Sequence, residues 1–160
     1  MKTLVVYYSR TGITKQIAEE IACGLHADIE EIPDVKPRTG LFGWLRSGRE
    51  AAMKLLPEIG TIHIHPKKYD LVILGTPVWA GTMASPMRTY ITDFCKHLKN
   101  VAFFCTLSGS IGKTFDEMHD IIKKPAFAQL AIRTKDVKKK LFKKKVLKFV
   151  HSLEHENHNA

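Results

Sequence analysis

The chain has 160 residues, 44% of them hydrophobic, and a net charge of +9, which is one domain's length with enough apolar side chains for a continuous core. No apolar run reaches the ~20 residues of a membrane-spanning helix, and the N-terminus lacks a charged start, long apolar centre and cleavage site, so a folded cytoplasmic protein is expected. Cys23, Cys95 and Cys105 have no metal-ligand spacing and read as free thiols of a reducing compartment.

Leu4 to Tyr8 is an apolar run that reads as a buried strand. Ile13, Ile17, Ile21 and Leu25 recur every four residues, which predicts an amphipathic helix. Between the two lies Ser9-Arg10-Thr11-Gly12-Ile13-Thr14. A strand, a hydroxyl-rich turn and a helix start make a geometry suited to an anion. The first helical amides point out of the helix end and its dipole favours negative charge. Gly12 removes a side chain where a phosphate approaches the backbone. The simpler alternative is an ordinary capped helix, with Ser9 or Thr11 as the cap. No Lys follows the glycine, so this is not a Walker A loop. No G-x-G-x-x-G is present, so the loop suits one terminal phosphate and not a dinucleotide.

Asp28 to Ile32 reads as a second strand, stopped by Pro33. Arg46 to Leu56 is compatible with a helix that Pro57 ends. The apolar segment before it, Leu41 to Leu45, has two readings. Leu41, Phe42, Trp44 and Leu45 would anchor the second helix on the sheet, or Phe42 and Trp44 would cover a ligand at the sheet edge or pair two subunits. Thr61 to His65 is a short strand or an extended lead into Pro66, with His63 and His65 on one solvated face. Asp70 to Thr76 is a buried strand that Pro77 ends, and Ser85-Pro86 starts a helix running to about Leu98. Val101 to Cys105 is another buried strand, followed by a loop from Thr106 to Gly112 and a helix from Thr114 to Lys124. Ala128 to Ile132 is the last strand. Val137 to Leu153 is the last helix, with Phe142, Val146, Phe149, Val150 and Leu153 on one face. Residues 1–153 therefore form one domain, and 154–160 a polar, frayed tail.

Between Arg133 and Lys148 nine basic residues face one acid, Asp136, a net +8 of the chain's +9. The basicity belongs to one element and is no whole-surface nucleic-acid footprint. Phe142 and Phe149 fall on the buried side of that helix, so no basic-aromatic interleaving marks a nucleic-acid module either.

Alternating strands and helices predict a doubly wound parallel sheet, covered on both faces in three α/β/α layers. Ligands bind such sheets at the carboxyl ends of the strands. Three loops rich in Ser, Thr and Gly leave that edge: Ser9–Thr14, Pro77–Ser85 with Trp79, and Thr106–Gly112.

These three stretches resemble the flavodoxin family in order and spacing, with the likeness running from Met1 to about Leu153. The matching residues are Ser9-Arg10-Thr11-Gly12-Ile13-Thr14, Gly75-Thr76-Pro77-Val78-Trp79-Ala80-Gly81-Thr82 and Thr106-Leu107-Ser108-Gly109-Ser110-Ile111-Gly112. The resemblance implies five parallel strands in the order 2-1-3-4-5 and a non-covalent FMN. Ser9, Arg10, Thr11, Gly12, Ile13 and Thr14 would hold its phosphate. Pro77, Val78, Trp79, Ala80, Gly81 and Thr82 would line one side of the ring, with Trp79 stacking. Thr106, Leu107, Ser108, Gly109, Ser110 and Gly112 would close around the pyrimidine end. Electron-carrier flavodoxins are usually acidic, however, and many stack a second aromatic from the last loop, where this chain has Leu107 and Ser108. Its Thr-Pro-Val-Trp-Ala-Gly is closer to flavodoxin-like relatives of quinone and NAD(P)H reductases. The resemblance thus leaves two functions open. One is an electron carrier for a redox partner protein, acidic and ferredoxin-like given this chain's charge. The other is an FMN-dependent oxidoreductase using a small quinone or nicotinamide. It leaves monomer or dimer open as well.

Overall fold

The structure, a computed structural model, describes residues 1–159, with side chains described through His155. Chain order is β1 (Thr3–Tyr7), α1 (Ile13–Leu25), β2 (Asp28–Glu31), α2 (Gly40–Ala52), β3 (Leu71–Trp79), β4 (Thr82–Met83), α3 (Ser85–Phe94), β5 (Asn100–Leu107), α4 (Thr114–Ile122), β6 (Ala126–Arg133), α5 (Thr134–Lys138) and α6 (Lys143–Asn159). Five strands run parallel in the order β2-β1-β3-β5-β6, and the short β4 pairs antiparallel with β3. With β4 set apart, this is the expected order 2-1-3-4-5.

Strand alternation sends successive side chains to opposite faces, and both faces are covered. Val5 and Tyr7 of β1 join α1 and the C-terminal helices, through Ile17, Ile21, Val137, Phe142 and Val146. Leu4, Val6 and Tyr8 join α3 and α4 on the other face, through Met87, Tyr90, Ile91 and Met118. The near-continuous apolar runs of the central strands follow from this double burial.

Three expectations from the sequence need correction, and one alternative is resolved. Thr61–His65 is the extended lead into Pro66 and not a short strand. The segment is extended, and Ile59 makes an isolated bridge to Asp34. β3 does not stop at Pro77 but continues to Trp79 and folds back as a hairpin onto β4. Its two turn residues, Ala80 (φ 49°) and Gly81 (φ 73°), both have positive φ, as a two-residue hairpin turn requires. The last helix is divided. α5 ends at Lys138, Lys140 turns left-handed (φ 56°), and α6 begins at Lys143 and continues to Asn159. In one unbroken helix Val137 and Phe142 would lie about 140° apart. The break lets both enter the same core. The expected frayed tail is therefore helical as far as Asn159, and Ala160 lies outside the described residues.

The third correction concerns α2. It starts at Gly40, so Leu41 to Leu45 lie inside it. They do not anchor it. The buried residues of α2 are Gly43, Ser47 and Ala51, and a Cβ on Gly43 would sit 2.3 Å from the Arg38 carbonyl carbon. Leu41, Phe42, Trp44 and Leu45 are exposed, Phe42 by 86%. Among the described residues, no α2 side chain belongs to either core cluster. Polar contacts hold the helix instead. Arg38 Nε donates to Asp34 at 2.8 Å, and its Nη1 lies 2.7 Å from Glu50, close but poorly aligned for a hydrogen bond. Within the helix Arg46 donates to Glu50 at 2.9 Å and so orients that carboxylate, and just past the helix Lys54 pairs with Glu117 at 3.1 Å.

Candidate functional site

A cavity of about 420 Å³ opens at the carboxyl edge of the sheet, within the usual size of a small-molecule site. Residues from all three expected loops line it: Arg10, Thr11, Ile13 and Thr14; Pro77 to Gly81; and Thr106 to Ser110.

At the first loop, Gly12 takes φ 81° as it leads into α1. The Ser9 hydroxyl accepts the amides of Gly12 (3.1 Å) and Lys15 (3.3 Å). The amides of Ile13 and Thr14 have no partner among the described residues. Two outward amides at a helix start, beside the Thr11 hydroxyl and the Arg10 guanidinium, form a donor set for one anion. The Thr14 and Thr106 hydroxyls are 2.8 Å apart and buried, which ties this loop to the end of β5.

The second loop is the β3–β4 hairpin. Trp79 has the Tyr8 ring against it edge-on, centroids 5.3 Å apart. The Arg38 guanidinium lies 5.6 Å from its centroid, within cation–π range. Tyr8 donates to Asp34 at 2.6 Å, and Asp34 also accepts from Arg38. Burial, then the Asp34 carboxylate, pushes the Tyr8 phenol well above its ordinary pKa, so it stays protonated and donating. Burial opposes the Arg38 charge, but Asp34 and Glu50 outweigh it and raise the Arg38 pKa. Trp79 is thus held on two sides by groups whose charge state does not change near neutral pH.

Behind the hairpin, Thr82 does not reach the cavity. Its hydroxyl bonds to Glu117 and accepts from Arg88 at 2.9 Å, and Arg88 also donates to Glu117. Burial raises the Glu117 pKa, but bonds from Thr82, Arg88 and Lys54 outweigh it and hold the carboxyl at about 2.

Ser9, Gly12 and Gly112 also stay out of the lining, and each shapes a loop. Gly112 (φ 55°) faces Gly81, where an added Cβ would lie 2.0 Å from the Gly81 oxygen. The same oxygen accepts the Lys113 amide at 2.8 Å, so the second and third loops are locked back to back. Four lining residues lie outside the three expected loops: Trp44, Ser47, Gly48 and Thr134. The first three come from α2, and only the aromatic Trp44 gave a sign of it. Thr134 opens α5, where the Ser108 hydroxyl donates to it at 3.3 Å. Cys105, at the floor of the sheet, is fully buried, and burial pushes its thiol up to about 12.

The single-anion donor set, the flat indole floor and the two glycine-locked loops fit a flat ring carrying one phosphate, as FMN is. The sequence profile of the flavodoxin family matches residues 2–152. A flavoprotein from Lactobacillus acidophilus NCFM, solved in complex with FMN, superposes with a TM-score of 0.70 at 26% identity, covering 86% of this chain and 97% of that one. A putative flavoprotein from Bacteroides uniformis ATCC 8492 gives 0.73 at 25% identity, covering 88% and 97%. Among curated relatives, the NAD(P)H dehydrogenase (quinone) of Gluconacetobacter diazotrophicus is 32% identical over 98 residues, 56% of this chain and 44% of that one. NAD(P)H dehydrogenase (quinone) 3 of Rhizobium meliloti is 28% identical over 96 residues, 56% and 42%. The matched stretches span less than half the length of these two relatives.

Proposed function

We propose that this chain, which belongs to the flavodoxin family, is a redox protein that passes electrons through a non-covalently bound FMN. The observation that carries this reading is the convergence of three separate loops on one cavity whose donor set suits a single phosphate. Bound FMN supplies one- or two-electron transfer at its ring. The chain's own residues bind, orient and exclude water.

The amides of Ile13 and Thr14, the Thr11 hydroxyl and the Arg10 guanidinium hold the phosphate. These are charge-assisted contacts, worth ~1.5–3 kcal/mol each. Trp79 stacks on one side of the ring, held by Tyr8 and Arg38. The Leu107–Ser110 backbone closes on the pyrimidine end. Trp44 takes the side where the last loop offers only Leu107 and Ser108. Release of the cofactor by denaturation and chromatography tests the reading. FMN is the expected product. FAD, a nicotinamide or no chromophore would remove it.

A second reading, an NAD(P)H- or quinone-dependent oxidoreductase, draws support from one feature. Trp44 is more than half exposed on a helix outside both cores, so one side of the cavity is bounded by an open aromatic ring against which a small flat acceptor would pack. Rapid-mixing kinetics with NAD(P)H and a soluble quinone separate the two. An oxidoreductase consumes the donor in multiple turnovers without a partner protein. The carrier reading predicts turnover only when a partner is supplied. The charge of the Arg133–Lys148 segment supports an acidic redox partner, approached by way of Arg133 and Lys135 beside the cavity-lining Thr134.

A further inference from the structure

The α2 helix is packed inside out. Its buried stripe is Gly43, Ser47 and Ala51, while Leu41, Phe42 and Leu45 project outward, Leu41 by 68% and Phe42 by 86%. Eight of the twelve exposed large apolar side chains among the described residues fall between positions 35 and 56. Scattered apolar residues are ordinary on a protein surface, but a concentrated patch marks an interface.

The charges on the helix are sorted as well. Its one acid, Glu50, is turned inward to Arg46 and Arg38. Arg49 lies with Leu45 on the outer side, and exposed Lys36 precedes the helix. Neither makes an ion pair among the described residues. Outward Phe and Leu beside an unpaired Arg, with the one acid of the helix turned inward, match the apolar and cationic sides of a helix that lies in the plane of a membrane interface. No helix among the described residues is long and apolar enough to cross a membrane, so the contact is superficial.

We propose that the outer face of α2 docks this protein on an anionic lipid bilayer. Charge favours that occupant over a second copy of the chain, because pairing two such faces brings the unpaired Arg49 and Lys36 of both copies together with no outward acid on the helix to offset them. The geometry gives the contact a use. Trp44 lies between the outer face of the helix and the cavity it helps to line, so an apolar acceptor dissolved in the bilayer arrives beside that cavity. This use rests on the redox reading, whereas the docking itself does not.

The test is flotation of the protein as isolated with phosphatidylcholine vesicles, with and without about a third phosphatidylglycerol. The wild type floats with the anionic vesicles and not with the neutral ones. Phe42→Ser with Leu45→Ser lowers partitioning at least ~tenfold, because two apolar side chains no longer leave water. The melting temperature is unchanged, since both residues are exposed. Arg49→Glu weakens flotation too. If the double variant floats like the wild type, binding belongs to the lysines of α6 and the proposal fails. It also fails if the wild type ignores anionic vesicles, or if sedimentation shows a vesicle-free dimer that the double variant abolishes. A protein that floats but carries no flavin defeats the redox reading alone. One that carries flavin but does not float defeats the docking alone.

Discussion

Thr14 and Thr106, 92 positions apart in the chain, hold their hydroxyls 2.8 Å from each other in a buried contact at the floor of the cavity. The pair joins the start of α1 to the end of β5, so it sets the distance between the proposed phosphate loop and the proposed ring loop. Replacing either Thr by Val keeps the shape and orphans the other hydroxyl, which costs ~1–3 kcal/mol. Replacing both removes the orphan. Chemical denaturation of the two single variants and the double one checks this. The double variant is expected to be more stable than the sum of the single losses implies, and additive losses would show that the contact is not coupled.

Gly112 and Gly81 are the second fixed relationship. Gly112→Ala adds a methyl group where the Gly81 oxygen already sits, 2.0 Å away, at a φ of 55°. Gly12→Ala meets open space at φ 81° and costs only the left-handed backbone term, ~1–2 kcal/mol. Gly112→Ala is expected to weaken flavin affinity and thermal stability more than Gly12→Ala does. The reverse order would show that the two loops are not locked together.

Glu117 makes folding sensitive to acid. Its folded pKa of about 2 lies below the ordinary 4.5, so its stabilisation is fully present above pH ~4.5 and is lost as pH falls toward 2. The full effect is on the order of 3 kcal/mol. Glu117→Gln is expected to flatten the stability profile in that window. Glu117→Ala, which strands Arg88, is expected to cost ~3–5 kcal/mol. Lys54→Ala costs under ~1 kcal/mol, because that ammonium is exposed. Urea titrations at stepped pH give the profile, and an unchanged slope for Glu117→Gln would place the acid sensitivity in other carboxylates.

Arg133 and Lys135 flank the cavity-lining Thr134. If they steer an acidic partner, Arg133→Glu with Lys135→Glu slows association ~10-fold or more at low salt, and the gap narrows as salt rises. Stopped-flow electron transfer from a reduced ferredoxin measures this. Rates independent of ionic strength would rule out steering through this edge.

The sheet and its ligand edge were legible because buried parallel strands are written as apolar runs, and the loops leaving them as Ser, Thr and Gly clusters. Of the two readings of Leu41–Leu45, the anchoring one fails for a physical reason. Apolar periodicity equates large side chains with the core, but this helix buries Gly43, Ser47 and Ala51 and holds on through Arg38, Glu50 and Lys54. The same reading hid Ser47 and Gly48 as cavity residues. The hairpin after β3 was concealed by Pro77, which marks a stop in a strand interior but is accommodated here in the ladder to Thr106. Thr82 looked like a ring-loop residue by its place in the sequence. Only the long-range contact with Arg88 and Glu117 shows that it faces inward.

The central claim is that the cavity recognises a flavin through one phosphate at the start of α1. Titration calorimetry of the apoprotein with FMN and with riboflavin, which lacks that phosphate, tests it most directly. Two charge-assisted contacts at ~1.5 kcal/mol each make FMN at least ~100-fold tighter than riboflavin. Equal affinities for the two flavins would contradict the account.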